Sequence, residues 1–181
     1  MDLRLPPVEH ADAFRLNAAQ GWLELGDTAS ADDELDAVSP ETRAHPAVLL
    51  IRCQIYFKAK KWDAAAEVSE TLTQLFPGLP EPWINFAYAT RRKTGGSVGQ
   101  AKEILLKAEP QFSTQFIFPF NLACYCSQLG QLDETEQWLA KALAIDDKTV
   151  QKMAREDDDL KSFRDSHNSE IARLLKENPQ S

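Results

Sequence analysis

Helical apolar spacing recurs along this 181-residue chain in blocks of roughly ten to fifteen residues, and no segment shows the alternation of a half-buried strand. Short breaks separate the blocks: Pro40, Pro46, the run Pro77-Gly78-Leu79-Pro80-Glu81-Pro82, Gly95-Gly96 and Gly130. Such regular punctuation constrains the fold more than any single motif. A short helix pair cannot bury its apolar face alone, so a chain built from many of them must stack them, as internal repeats do.

The clearest unit runs from Asn121 to Leu143, where two amphipathic helices meet at Leu129-Gly130-Gln131-Leu132-Asp133-Glu134. Ala123 is the small residue that lets the second helix approach closely. Thr135, Leu139 and Ala142 follow at i, i+4 and i+7 and form the inward stripe of that second helix. This unit resembles the tetratricopeptide repeat (TPR), a helix–turn–helix of about 34 residues with aromatic, Leu-Gly, Tyr, Ala, Phe, Ala and Pro landmarks.

The repeat step tests that resemblance along the chain. Trp83, Phe86, Ala87, Ala101, Leu105 and Ala108 appear in family order before this unit, with an enlarged turn at Lys93-Thr94-Gly95-Gly96-Ser97. One step earlier come Leu49, Cys53, Tyr56, Ala65 and Pro77. Another step back gives Ala19, Trp22, Gly26, Ala31 and Leu35. Departures are Arg15 and Pro119 at an aromatic position, Arg52 for the leucine, Ser69 for the second aromatic, and Arg43, Ser113 and Asp147 at the terminal proline. Pro119 requires a place in a first helical turn, where no N–H is missed.

The resemblance implies an all-α, right-handed α-solenoid of about four TPR units with a C-terminal capping helix. The expected divisions are a lead-in at 1–11, repeats at 12–45, 46–79, 80–115 and 116–147, and a capping segment and tail at 148–181. The last helix is expected near Ser166–Lys176, carrying Ile171, Leu174 and Leu175, since a solenoid must cover its final apolar face. In the run Glu156-Asp157-Asp158-Asp159, Asp158 or Asp159 is expected to start a short helix; the run lacks the glycine and terminal Glu of a calcium loop.

Composition narrows the function. Hydrophobic residues make up 43% and charged residues 27%, as in ordinary globular proteins. Net charge is −8 and the pI near 4.9, which disfavours nucleic acid and anionic membrane surfaces as partners. No apolar run has the ~18–20 residues of a membrane span, and the first residues lack a secretory apolar stretch, so the expected address is the cytoplasm. Cys53, Cys124 and Cys126 read as reduced, packed thiols. In a helix Cys124 and Cys126 point apart and cannot share an ion, and His10, His45 and His167 have no ligand spacing. No nucleophile elbow, phosphate loop or dinucleotide fingerprint is present, and Gly95-Gly96-Ser97-Val98-Gly99 reads as a loop. No catalytic residues, metal or cofactor are expected.

In proteins of the resembled family the first helix of each unit lines a concave groove. Carried over position by position, the groove residues are Leu16, Gln20 and Leu23; Leu50, Gln54, Phe57 and Lys58; Ile84, Tyr88, Arg91 and Arg92; and Phe120, Cys124 and Gln128. Lys58, Arg91 and Arg92 form an expected basic cluster on an acidic protein, suited to a peptide with acidic and apolar residues. A clamp for a C-terminal carboxylate is not expected, because its positions hold Leu50, Gln54, Asn85, Ile117 and Asn121, of which only Asn85 agrees. The function implied is a non-catalytic protein-interaction adaptor. The alternatives are a dedicated chaperone for a secreted or assembling client, and a structural protein that self-associates through apolar residues of the last helix such as Ile171 and Leu175.

Overall fold

The computed structural model describes residues 7–166 and 169–176, and among these every regular element is helical. The helices are α1 (His10–Leu25), α2 (Thr28–Asp36), α3 (Pro46–Lys58), α4 (Trp62–Leu75), α5 (Pro80–Thr90), α6 (Val98–Ala108), α7 (Ile117–Gln128), α8 (Leu132–Ile145), α9 (Asp147–Glu156), α10 (Lys161–Ser166) and α11 (Glu170–Lys176). Two 3-10 turns, Glu109–Phe112 and Asp158–Leu160, precede α7 and α10. The chain forms two compact units, Met1–Gly96 and Ser97–Ser181. Their boundary falls inside the expected third repeat, so α5 belongs to the first unit and α6 to the second.

Local chemistry explains the helix ends. α1 stops at Gly26 (φ 87°), whose N–H donates to the Leu23 carbonyl while that of Asp27 donates to Trp22, the usual left-handed C-terminal motif. Asp27 then starts α2 by accepting from the N–H groups of Ala29 (3.2 Å) and Ser30 (3.0 Å). His45 starts α3 with Nδ1 accepting from Ala47 N–H at 3.1 Å, followed by Pro46 in the first turn. Ser97 does the same for α6, and Asp146 for α9. Pro119 is the third residue of α7, within its first turn. Gly96 fits only as glycine: a Cβ there would lie 1.8 Å from the Thr90 carbonyl oxygen.

The turn between α3 and α4 breaks the pattern of its equivalents. Gly26 and Gly130 (φ 74°) occupy the left-handed position in two hairpins, but Lys60 (φ 54°) occupies it here. A side chain in that region costs about 1–2 kcal/mol, partly offset because glycine is freer when unfolded. Lys60→Gly should therefore stabilise the protein by about 0.5–1 kcal/mol and raise Tm by roughly 2 °C in a thermal melt.

In the first unit α1, α2 and α3 enclose Leu16, Ala19, Leu23, Ala31, Leu35, Val38, Val48 and Ile55. A polar tie closes this end. The buried Asp12 carboxylate accepts from Ser39 N–H (3.0 Å), Ser39 Oγ (2.6 Å) and Thr42 Oγ1 (2.5 Å), joining α1 to the turn after α2. The Ser39 and Thr42 hydroxyls hold the Asp12 carboxyl below the usual carboxylate range. Its contribution to stability is thus present above the unfolded value near pH ~4 and is lost as pH falls through the lower folded value. Asp12→Asn should lower the urea midpoint at neutral pH and shrink the further loss between about pH 5 and pH 3.

In the second unit α7 is buried almost all round, with Phe118–Phe120 and Leu122–Ser127 inside. α6 and α8 pack on it, as do the Asp158–Leu160 turn and α10. Thr135, Leu139 and Ala142 form the inward stripe of α8. Phe112 stacks on Phe118 at 4.8 Å. Lys102 of α6 is buried but paired, its ammonium 2.8 Å from Gln131 Oε1 and 2.6 Å from Glu134 Oε2.

Two helix starts differ from those expected. α1 starts at His10, inside the expected 1–11 lead-in, whose first six residues lie outside the described residues. Asp158 begins the short Asp158–Leu160 turn, as expected, and Asp157 caps it by accepting from Asp159 N–H at 2.9 Å. The last helix, expected near Ser166–Lys176, is α11, which starts at Glu170 and ends at Lys176, with α9 and α10 before it; residues 167, 168 and 177–181 lie outside the described residues. Arg164 binds the group together by donating to the carbonyls of Ala154 (2.5 Å) and Asp157 (2.7 Å).

Candidate functional site

Helices α1, α3 and α5, the first helices of three expected repeats, bring their side chains to one cleft of about 420 Å³ on the first unit. α1 supplies Gln20, Leu23 and Glu24; α3 supplies Gln54, Phe57 and Lys58; α5 supplies Glu81 and Asn85. Gln20 and Gln54 stand one repeat apart and are both exposed, while Leu23 is buried in the cleft floor. The Lys58 ammonium donates to the Leu23 carbonyl, near the end of α1, where a cation meets carbonyls that the helix itself leaves unpaired. Three carboxamides thus surround a floor of Leu23 and Phe57. Carboxamides both donate and accept, so they can pair with peptide N–H and C=O groups alike.

An aromatic cluster adjoins the cleft at Phe57. Phe57, Trp62 and Tyr88 form a triangle with ring centroids 5.6 to 6.0 Å apart, drawn from α3, α4 and α5. Arg92 lies over Tyr88 at 3.6 Å and over Trp62 at 5.6 Å, and its Nη1 donates to the Tyr88 carbonyl at 3.2 Å. Arg91 lies 5.2 Å from the same Tyr88 ring. Beyond the triangle is a second cleft of about 510 Å³, lined by Lys60, Lys61, Trp62, Asp63, Arg92 and Thr94 among others. Asp63 fixes its edge, accepting from Thr94 N–H and Oγ1, both at 3.2 Å. The Lys61 ammonium sits 5.7 Å over the Tyr56 ring.

These positions redraw the expected groove. Gln20, Leu23, Gln54, Phe57 and Lys58 are brought together. The expected basic trio is divided: Lys58 lines the first cleft, Arg92 the second, and Arg91 stacks on Tyr88. The first cleft holds Glu24 and Glu81 against one lysine, so it carries no basic surplus. Leu16 is buried in the core of its unit, and Leu50 and Ile84 are half-buried.

Phe120 and Cys124 are corrections. Both are buried in the second unit, one helical turn apart on α7, and Cys124 Sγ lies 3.8 Å from Asp157 Oδ2. The face expected to meet a peptide is covered by the chain's own segment after α9. Gln128, near the end of α7, is exposed. Sequence reasoning left out Glu24 and Glu81 and named Asn85 only for the clamp. Glu24 had a signal, since it stands one repeat before Lys58, which stands one repeat before Arg92.

The remaining chemistry-bearing groups serve packing. Cys53, Cys124 and Cys126 are free and buried. Burial pushes the Cys53 thiol up to about 11, far from the range of a reactive thiolate. Cys126 lies 3.8 Å from Glu134 Oε2 while Cys124 meets Asp157, so the two thiols address different neighbours. Among the described residues no three His, Cys, Asp or Glu side chains converge as a metal site, and no helix is long and apolar enough to cross a membrane. Leu175, expected to be exposed for self-association, is 4% exposed and Ile171 half-buried. The most exposed large apolar side chains among the described residues are Phe14 (73%) and Leu25 (79%) of α1, and Leu75, Leu129 and Ile145 are exposed elsewhere.

Solved structures share this architecture. The thermophilic TPR protein TTC0263 from Thermus thermophilus aligns with a TM-score of 0.63 at 18% identity, over 94% of this chain and 93% of that one. The structure described as MamA MSR-1 C2 aligns with a TM-score of 0.61 at 17% identity, over 93% and 98%. No family model and no curated protein matches the sequence. The fold is the all-α fold of TPR solenoids.

Proposed function

We propose that this protein is a non-catalytic interaction module whose first cleft holds an extended segment of a protein partner. The observation that supports this reading is the convergence of Gln20, Gln54 and Asn85 around the Leu23 and Phe57 floor. Main-chain pairing by carboxamides gives affinity with little demand on sequence, and an apolar floor selects one anchoring side chain. The charge of the cleft favours a neutral or basic residue beside that anchor, since Glu24 and Glu81 flank it and Lys58 is engaged by the Leu23 carbonyl.

The role is that of an adaptor. The cleft is small and open to one anchor, where a dedicated chaperone must cover a long stretch of its client. Peptides selected from a random library on the immobilised protein should share an apolar residue and lack acidic neighbours. The double variant Gln20→Ala, Gln54→Ala should bind them about tenfold more weakly by titration calorimetry, the loss of two hydrogen-bonding groups worth roughly 0.5–1.5 kcal/mol each. Unchanged affinity would remove the carboxamides from the site.

A further inference from the structure

We infer that the second cleft of the first unit is a separate docking site for an acidic protein segment, reading aspartate or glutamate side chains. It is a different surface from the first cleft and has the opposite charge: Lys60, Lys61 and Arg92 line it against the single carboxylate of Asp63, on a chain whose net charge is −8. Asp63 is occupied by the Thr94 N–H and hydroxyl, which leaves the exposed Lys60 and Lys61 side chains facing an incoming anion. Trp62 forms an apolar wall beside them, and Arg92 lies over Tyr88 and Trp62 and donates to the Tyr88 carbonyl, so its guanidinium is ordered before any partner arrives.

Lys60 carries the argument further. Two hairpins of this chain place glycine at the left-handed turn position, and this hairpin places a lysine there, with its side chain exposed at the cleft. The substitution brings the fold nothing, since glycine takes that conformation without strain. What it brings is a positive charge on a fixed turn, beside Lys61 and across from Arg92. Opposite charge confined to one face of an acidic protein steers an acidic segment to that face and repels it elsewhere. Nucleic acid is a poor match for the same reason, because a long polyanion would have to lie along the acidic remainder of the surface.

The test uses the whole chain and a fluorescein-labelled hexaglutamate, read by anisotropy at about 0.05 M salt, where screening length exceeds about 10 Å. Wild type should bind hexaglutamate and not hexaglutamine, with affinity falling as salt rises. Lys60→Gly alone should bind roughly threefold more weakly while melting at a higher temperature, and Lys60→Gly with Lys61→Gln should lose about tenfold. That pairing of weaker binding with raised stability separates loss of a site from loss of fold. Gln54→Trp, in the first cleft, should leave hexaglutamate binding unchanged. The inference is overturned if wild type ignores hexaglutamate or if the double lysine variant binds as wild type does. It is also overturned if inorganic tripolyphosphate displaces the peptide at lower concentration than unlabelled hexaglutamate does, which would make the site one for phosphate.

Discussion

Phe163→Ala should cost about 3–5 kcal/mol of unfolding free energy, a large share of the 5–15 kcal/mol that a domain of this kind possesses. Phe163 is the buried side chain of the short helix α10, which packs on α7. Six residues form only a turn and a half, too few to hold a helix without packing. Removing the ring leaves a cavity at the buried apolar anchor of α10 and loosens the segment that covers Phe120 and Cys124. The effect should therefore reach beyond a shifted urea midpoint. In wild type all three thiols are buried and should react slowly with a thiol reagent; in the variant Cys124 should react fast while Cys53, in the other unit, stays protected. A loss below about 1 kcal/mol with Cys124 still shielded would show that α10 does not seal this face.

Gln54→Trp should abolish partner binding with almost no change in stability. Gln54 is exposed at the middle of the first cleft, between Gln20 of α1 and Asn85 of α5. An indole there occupies much of a cleft of about 420 Å³ and removes a carboxamide at the same time. A blocked anchor is a hot-spot loss, at least about 2 kcal/mol or thirtyfold in affinity for the selected peptides. Stability should stay within about 0.5 kcal/mol, as for most surface changes. Retained binding would move the site elsewhere on the protein.

How much of this was legible in the sequence can be argued from particular residues. The hairpins α1–α2, α3–α4 and α7–α8 follow from local signals: Gly26 and Gly130 at left-handed turns, Pro46 in a first turn, and inward stripes such as Thr135, Leu139 and Ala142. Repeat arithmetic then placed Gln20, Gln54, Phe57 and Lys58 on a common face, because identical steps along stacked helices land on one side. The same arithmetic failed at Phe120 and Cys124, since register tells which way a side chain points and not what else packs there. A signal existed. Ile117-Phe118-Pro119-Phe120-Asn121-Leu122-Ala123-Cys124-Tyr125-Cys126 has almost no polar face, the mark of a helix covered on all sides.

The expected basic cluster failed for a different reason. Lys58, Arg91 and Arg92 are neighbours by register, but long cationic side chains go where carbonyls and aromatic faces lie. Lys58 reached the Leu23 carbonyl and Arg92 folded over Tyr88 and Trp62. Lys60, at a turn position where two other hairpins hold glycine, was passed over by sequence reasoning and gains meaning only from the neighbouring Lys61 and Arg92 around one cleft. Charge pattern along a sequence locates cations; only packing shows which of them share a surface.

The central claim is that a partner segment lies in the first cleft. Amide chemical-shift mapping of the 20.3 kDa protein with one selected peptide tests it most directly. The account predicts that the largest shifts fall on Gln20, Leu23, Gln54, Phe57 and Asn85 and vanish in Gln54→Trp. Shifts confined to other helices, and unaffected by that substitution, would contradict it.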